Sequence, residues 1–331
     1  FCGGHTVAIF RSGIRSVMPP QVRMLSGPGC PVCVTSNADL DRAVALAKTP
    51  GVILTTYGDM LKVPGSRESL MQVRAQGYPV EIVYSTLDAL ALAAAHPEKE
   101  IVFFAIGFET TAPAAAAAVL QAQAKGMRNF SICSVMKLTI PGARALLAMG
   151  EVRVDGVIGP GHVSSIIGSD AWRFLPEEYG IPVAISGFEP LDLLAATDAI
   201  MQMHVEQRPA LVNTYSRVVK PEGNRKAWGA VEHVFTLAEA SWRGFGSIPE
   251  SGLLLREEFA DFDADRRFNV TVEESAEHPA CRCGEVLRGV LTPPECAVFG
   301  SACTPESPLG PCMVSSEGSC AAYYHYQRQL A

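Results

Sequence analysis

Between residues 22 and 194, short apolar runs and helix-forming stretches alternate repeatedly, and this alternation restricts the fold more than any other feature. β-Branched or aromatic runs at 52–56, 80–84, 101–106, 130–135, 157–158 and 183–185 end in polar or glycine-rich turns. Between them lie stretches of helical character at 37–48, 67–76, 87–96, 114–125, 142–149 and 191–203. Strands separated by helices return to the sheet by crossovers, so the pattern predicts an α/β fold with parallel sheets covered on both faces. The runs are mostly continuous in polarity rather than alternating, as doubly covered strands require.

Two motifs recur within this region. Gly27-Pro28-Gly29 is echoed by Gly159-Pro160-Gly161, and Gly107-Phe108-Glu109 by Gly187-Phe188-Glu189, each after a strand. Their offsets differ, which excludes a clean tandem duplication but fits two Rossmann-like parallel-sheet halves facing a cleft. The expected division is 1–130 for the first α/β domain, 131–210 for the second and 211–331 for a C-terminal domain. In that last part 213–220 reads as a strand, 228–241 as a helix and 251–255 as a short strand. Beyond His278 regular periodicity fades.

The fading coincides with Cys281, Cys283, Cys296, Cys303, Cys312 and Cys320, set among prolines and glycines. A tail with little material for its own core is better explained by a metal centre. Four thiolates hold an iron–sulfur cluster, which leaves two over. A zinc ribbon wants two close cysteine pairs, and only Cys281 and Cys283 are close. Disulfides alone are the third reading. A secreted disulfide scaffold fits poorly, because such scaffolds are small and lack long α/β patterns; a cytoplasmic setting is expected.

A formal net charge of −7 gives no electrostatic case for nucleic acid. No apolar run approaches the roughly 18 residues of a membrane span, and no secretory signal is visible. The sequence begins at Phe1 rather than Met, so residues before it are expected.

Four further groups carry chemistry. Cys30-Pro31-Val32-Cys33 follows a Gly-Pro-Gly turn and precedes a helix, a setting that favours a thiolate. It suits a redox pair, half of a metal site or two structural thiols. Cys2-Gly3-Gly4-His5 places a thiol and an imidazole around two glycines that allow both to reach one metal or substrate, although a cysteine near a chain end is commonly a bystander. Glu109-Thr110-Thr111 lies at the carboxyl end of a strand, where open sheets bind ligands; Thr110 or Thr111 equally serves as an N-cap. His162 is similarly placed after Gly159-Pro160-Gly161. Glu189 reads as a first-turn helix residue and Cys133 as a small buried hydrophobe.

Taken in order, Cys-Gly-Gly-His (2–5), Gly-Pro-Gly-Cys-Pro-Val-Cys (27–33), Gly-Phe-Glu-Thr-Thr (107–111), Gly-Pro-Gly-His-Val-Ser (159–164) and Cys-Met-Val-Ser-Ser-Glu-Gly-Ser-Cys (312–320) resemble the HypD family, maturation factors for [NiFe]-hydrogenases. The resemblance spans essentially the whole chain and departs at Val7, where some members carry a second His. It implies a scaffold that, with the small chaperone HypC, builds the Fe(CN)2(CO) unit from cyanide delivered by HypE. Cys2 would ligate that iron, His5 would position iron or ligands, and Cys30 with Cys33 would be the redox pair of the cleft. Glu109 falls in the same motif set. The family also holds a C-terminal [4Fe-4S] cluster. By analogy with ferredoxin:thioredoxin reductase, which interleaves ligand and redox cysteines, Cys281, Cys296, Cys303 and Cys320 would be ligands and Cys283 with Cys312 a redox pair. Exchange of Cys281 with Cys283, or of Cys312 with Cys320, stays open at this point. The competing readings are a free-standing cluster-dependent disulfide reductase and a zinc-stabilised α/β enzyme using Glu109 and His162 as acid and base.

Overall fold

A computed structural model describes residues 1–272 and 275–326. β1 (Val52–Thr56), β2 (Val80–Ile82), β3 (Glu100–Ala105) and β4 (Phe130–Ser134) form one parallel sheet in the order β2-β1-β3-β4. β5 (Val157–Pro160), β6 (Val183–Ser186) and β7 (Leu211–Asn213) form a second parallel sheet in sequence order. The predicted α/β class with two parallel sheets is what the chain adopts.

The alternating side chains of β3 show how the layers are held. Val102 and Phe104 face a core that contains Cys30, Cys33, Cys283, Cys303, Cys312 and Cys320. Ile101, Phe103 and Ala105 face the opposite core, under the helix Ala112–Ala124. The buried face of that helix is almost entirely alanine, so its backbone approaches the sheet closely. The cysteine-rich tail therefore shares a core with the first sheet instead of building one. Its elements are short helices, Cys283–Arg288, Pro311–Val314 and Ser319–Tyr326, for which a separate core would be too small to offset chain entropy.

Several boundaries differ from the sequence reading. β4 begins at Phe130 and pairs in register with β3, so the change of sheet falls between Ser134 and Val157 rather than at 130. The strand expected at 213–220 ends at Asn213, where Asn213 turns the chain by accepting from Tyr215 N at 3.1 Å. The helix expected at 228–241 is Arg225–Val234, and the chain passes directly into β8 (Phe235–Trp242). β8 pairs with β9 (Gly246–Leu255) as an antiparallel hairpin. Cross-strand pairing outweighs the helical propensity of Leu237–Ala240. Gly244 and Gly246, with φ of 80° and 75°, close the hairpin in a conformation other residues adopt only with strain. Among the described residues no helix is long and apolar enough to cross a membrane.

Candidate functional site

Cys2 is the N-cap residue of the helix Gly3–Arg11, which packs both on the helix Pro190–Val205 of the second sheet and on the tail helix Ser319–Tyr326. That position draws three distant motifs together. Gly3 N donates to Gly29 O at 3.1 Å, one residue before Cys30. His162, on the helix Gly161–Ile167, brings Nδ1 to 3.8 Å from Cys2 Sγ. Glu317 packs on Gly3 so closely that a Cβ there would lie 2.7 Å from Glu317 Cβ.

Burial governs the protonation of this pocket. It pushes the Cys2 thiol up to about 11, partly offset by the His5 amide at the helix start. Burial likewise pushes His5 down to about 3 and His162 down to about 4. Near neutral pH the pocket holds a thiol and two neutral imidazoles. His5 Nε2–H donates to Ser186 O at 3.3 Å, and its Nδ1 has no partner among the described residues. Phe188 is wedged between the rings, 4.8 Å from His5 and 5.3 Å from His162.

Depressed histidine pKa values bind stability to pH. A histidine that folds neutral loses its contribution as pH falls from the unfolded value near 6.5 toward the folded value. The melting temperature of metal-free protein is therefore expected to fall between about pH 6.5 and 4. His162→Gln should flatten that slope in a calorimetric pH series; an unchanged slope would show that His162 does not carry it.

Cys30 caps the helix Pro31–Val34, its Sγ accepting from Cys33 N at 3.2 Å. Cys30 and Cys33 are joined as a disulfide with Cα atoms 5.2 Å apart. The short helix packs directly against Cys283–Arg288 and Pro311–Val314, which carry Cys283 and Cys312.

The tail thiols converge. Cys281, Cys283, Cys296, Cys303 and Cys320 line one small cavity together with Val286, Val298, Phe299 and Met313. Cys312 is fully buried and is not among the lining residues. It hydrogen-bonds with Cys283 and Cys320, and these bonds, with burial, raise its pKa; the bonds of Cys320 with Cys283 and Cys312 lower that of Cys320. Among the described residues no group of three or more His, Cys, Asp or Glu is spaced for a single metal ion. A cluster binds one thiolate per iron and spreads its ligands more widely, so a dispersed thiol set around an apolar cavity fits a cluster better than zinc.

Glu109 sits apart from these thiols in its bonding. Its two oxygens accept from Thr139 N at 2.7 Å and Thr139 Oγ1 at 2.6 Å, bracing the start of the helix Thr139–Met149. Burial raises its pKa. Thr111 occupies the N-cap position of the helix after it, yet its hydroxyl donates back to Phe108 O at 3.0 Å. Glu189 lies at the N-cap position of Pro190–Val205, largely exposed and 3.7 Å from Arg217. Cys133 is buried, 3.8 Å from Asp265. Phe188 and Glu317 were not singled out from sequence, although both lie inside motifs that were.

Fold and site together define a cysteine-rich α/β protein with a histidine-lined thiol, a Cys-x-x-Cys disulfide and a tail of clustered thiols. A family model described as HypD, hydrogenase formation hypA family, matches residues 1–327. A hydrogenase maturation factor HypD of Azotobacter vinelandii is 50% identical over 336 residues, covering 99% of this chain and 89% of its own length. The proteins of the same name from Rhizobium leguminosarum bv. viciae and Escherichia coli K12 are 46% and 42% identical, each over 99% of this chain and covering 87% and 88% of their own lengths. The chain belongs to the HypD family of hydrogenase maturation factors.

Proposed function

We propose that this chain is a scaffold on which an iron atom, its cargo, acquires cyanide and carbon monoxide ligands for a [NiFe]-hydrogenase. A HypC-type chaperone shares the iron, and a HypE-type protein donates cyanide. The supporting observation is the meeting of Cys2 with His5, His162 and the Cys30–Cys33 turn in one pocket. The Cys2 thiol must lose its proton to become a ligand. His162 Nδ1 stands 3.8 Å from that sulfur, but an imidazole held near 4 is too weak a base for a thiol held near 11, so iron binding itself has to displace the proton. Phe188 and the burial of the pocket limit the access of water.

In the same proposal Cys281, Cys296, Cys303 and Cys320 hold a [4Fe-4S] cluster. When bound, the cluster supplies electrons singly to a neighbouring thiol pair. Cys283 and Cys312 are that pair in this proposal: Cys320 touches both of them, but these two sit on the two short helices that pack on Pro31–Val34. As a dithiol they reduce Cys30–Cys33 by exchange: one thiolate attacks the disulfide, and the second resolves the mixed disulfide. Two electrons move and the number of S–S bonds is unchanged. The eight cysteines outside Cys30–Cys33 are free, which suits the reducing cytoplasm.

Infrared spectroscopy of the anaerobically purified complex with its small chaperone tests this function. Parent protein is expected to show CN and CO stretching bands, and Cys30→Ala/Cys33→Ala to lose them while keeping the tail iron. A fully cyanated centre on the double variant would exclude the relay. Consistent absence of the bands from the parent complex would favour a stand-alone disulfide reductase.

A further inference from the structure

The tip of the β8–β9 hairpin is wedged between the two thiol sites. On one side Trp242 forms an antiparallel bridge with Thr35, and Arg243 N donates to Val34 O at 2.9 Å. Val34 and Thr35 directly follow Cys33. On the other side Gly244 lies back to back with Gly284: a Cβ on Gly284 would be 2.8 Å from Gly244 Cα. Arg288 Nη1 donates to Gly244 O at 2.5 Å. Neither glycine admits a side chain, so the turn spans from the Cys-x-x-Cys helix to the residue after Cys283.

At the centre of this wedge is a buried guanidinium. The Arg243 side chain is 2% exposed. Its Nε donates to Thr35 O at 3.1 Å and its Nη2 to Asn37 Oδ1. Its counter-ion, Glu277, stands 3.3 Å away and is 40% exposed, so water weakens the compensation. The other buried cation of the region, Lys137, is matched by buried Asp39 at 3.3 Å. Glu277 therefore compensates the Arg243 charge only in part, and that charge also acts on the Cys281 thiol.

We propose that Arg243 is a positioning residue that fixes the chain leaving Cys33 and holds a buried positive charge behind the Cys30–Cys33 turn, making that pair easier to reduce. A nearby cation stabilises thiolate and so favours the reduced form. This rests on the reading that Cys30–Cys33 cycles. Glu277 opposes the effect from the surface, so the two charges push the same equilibrium in opposite directions.

The test is an anaerobic equilibrium of cluster-loaded protein against mixtures of reduced and oxidised glutathione. In the reduction two glutathione thiols become one glutathione disulfide, and Cys30–Cys33 gains the two electrons and two protons. Alkylation, trypsin digestion and mass spectrometry follow residues 24–42, a fragment whose cysteines are Cys30 and Cys33 alone. Arg243→Met is expected to shift the equilibrium about tenfold toward the disulfide, ~30 mV for a two-electron couple. Arg243→Lys should recover most of that shift, and Glu277→Gln should move it roughly threefold toward the dithiol. A folded Arg243→Met protein that titrates with the parent overturns the inference. Should that variant not fold, Glu277→Gln decides: no shift, or a shift toward the disulfide, overturns it. A parent fragment that stays disulfide-linked at every glutathione ratio overturns the cycling reading itself, and the inference with it.

Discussion

Cys303→Ser is expected to lose at least roughly tenfold in affinity for the tail's iron, while Cys312→Ser keeps parental iron and acid-labile sulfide. The two thiols are both buried and differ in what they face. Cys303 lines the cavity with Cys281, Cys283, Cys296 and Cys320, and Leu309 N donates to its sulfur at 3.4 Å. Such a hydrogen bond stabilises a thiolate ligand. Cys312 lies behind that wall, at 0% exposure, on the helix that packs against Pro31–Val34. A serine at either place buries a hydroxyl at a cost of about 1–3 kcal/mol, so lower stability is common to both and cannot explain a difference in iron. Cavity lining does not separate Cys281 from Cys283, since both line it; their other neighbours do. Cys283 is buried, starts the helix against Cys30–Cys33 and touches Cys312, whereas Cys281 precedes that helix and is half-exposed. Cys281→Ser should therefore follow Cys303→Ser, and Cys283→Ser should follow Cys312→Ser. Iron and sulfide content per chain, with the visible absorption of the anaerobic protein, decide it. Equal loss from Cys303→Ser and Cys312→Ser would overturn the division.

The sequence revealed the sheet layers more readily than the site. β1, β3 and β6 are runs of Val, Ile, Leu and Phe with polar ends, and a period alone locates them. β8 was hidden because Leu237–Ala240 is compatible with a helix, and only its partner β9 decides the matter. The cysteines were legible as chemistry, since ten thiols in an α/β chain need a purpose. Their grouping was not. Phe188 touches His5 from 183 residues away in sequence, and Glu317 packs on Gly3 from the far end. Such contacts depend on how the second sheet and the tail pack on the helix Gly3–Arg11, and no local period encodes that. Glu109 illustrates the reverse: its place at a strand end suggested ligand binding, while its bonds go to Thr139.

Gly29→Ala should abolish the infrared bands of the assembled iron unit while leaving the tail's iron in place. A Cβ on Gly29 would lie 2.6 Å from Cys2 Cα and 2.7 Å from Cys2 N. These are backbone atoms, so no rotamer relieves the overlap; either Cys2 moves or the Gly27–Cys30 turn does. Both movements stretch the Gly3 N to Gly29 O bond that holds the two cysteine motifs together. Overpacking of this kind costs about 1–3 kcal/mol, enough to displace Cys2 from His162 while the cores on the two faces of β3 keep the chain folded. Gly229→Ala is the matched control. It lies within the helix Arg225–Val234 with no atom within 4 Å of its added Cβ, and alanine there should stabilise by up to about 1 kcal/mol. The three atoms nearest the Gly29 Cβ position belong to Phe1 and Cys2, so a parental cluster spectrum in Gly29→Ala would localise the lesion to Cys2. Parental CN and CO bands in that variant would mean that the iron is not held where Gly29 fixes the chain, and the assignment of Cys2 as its ligand would fall.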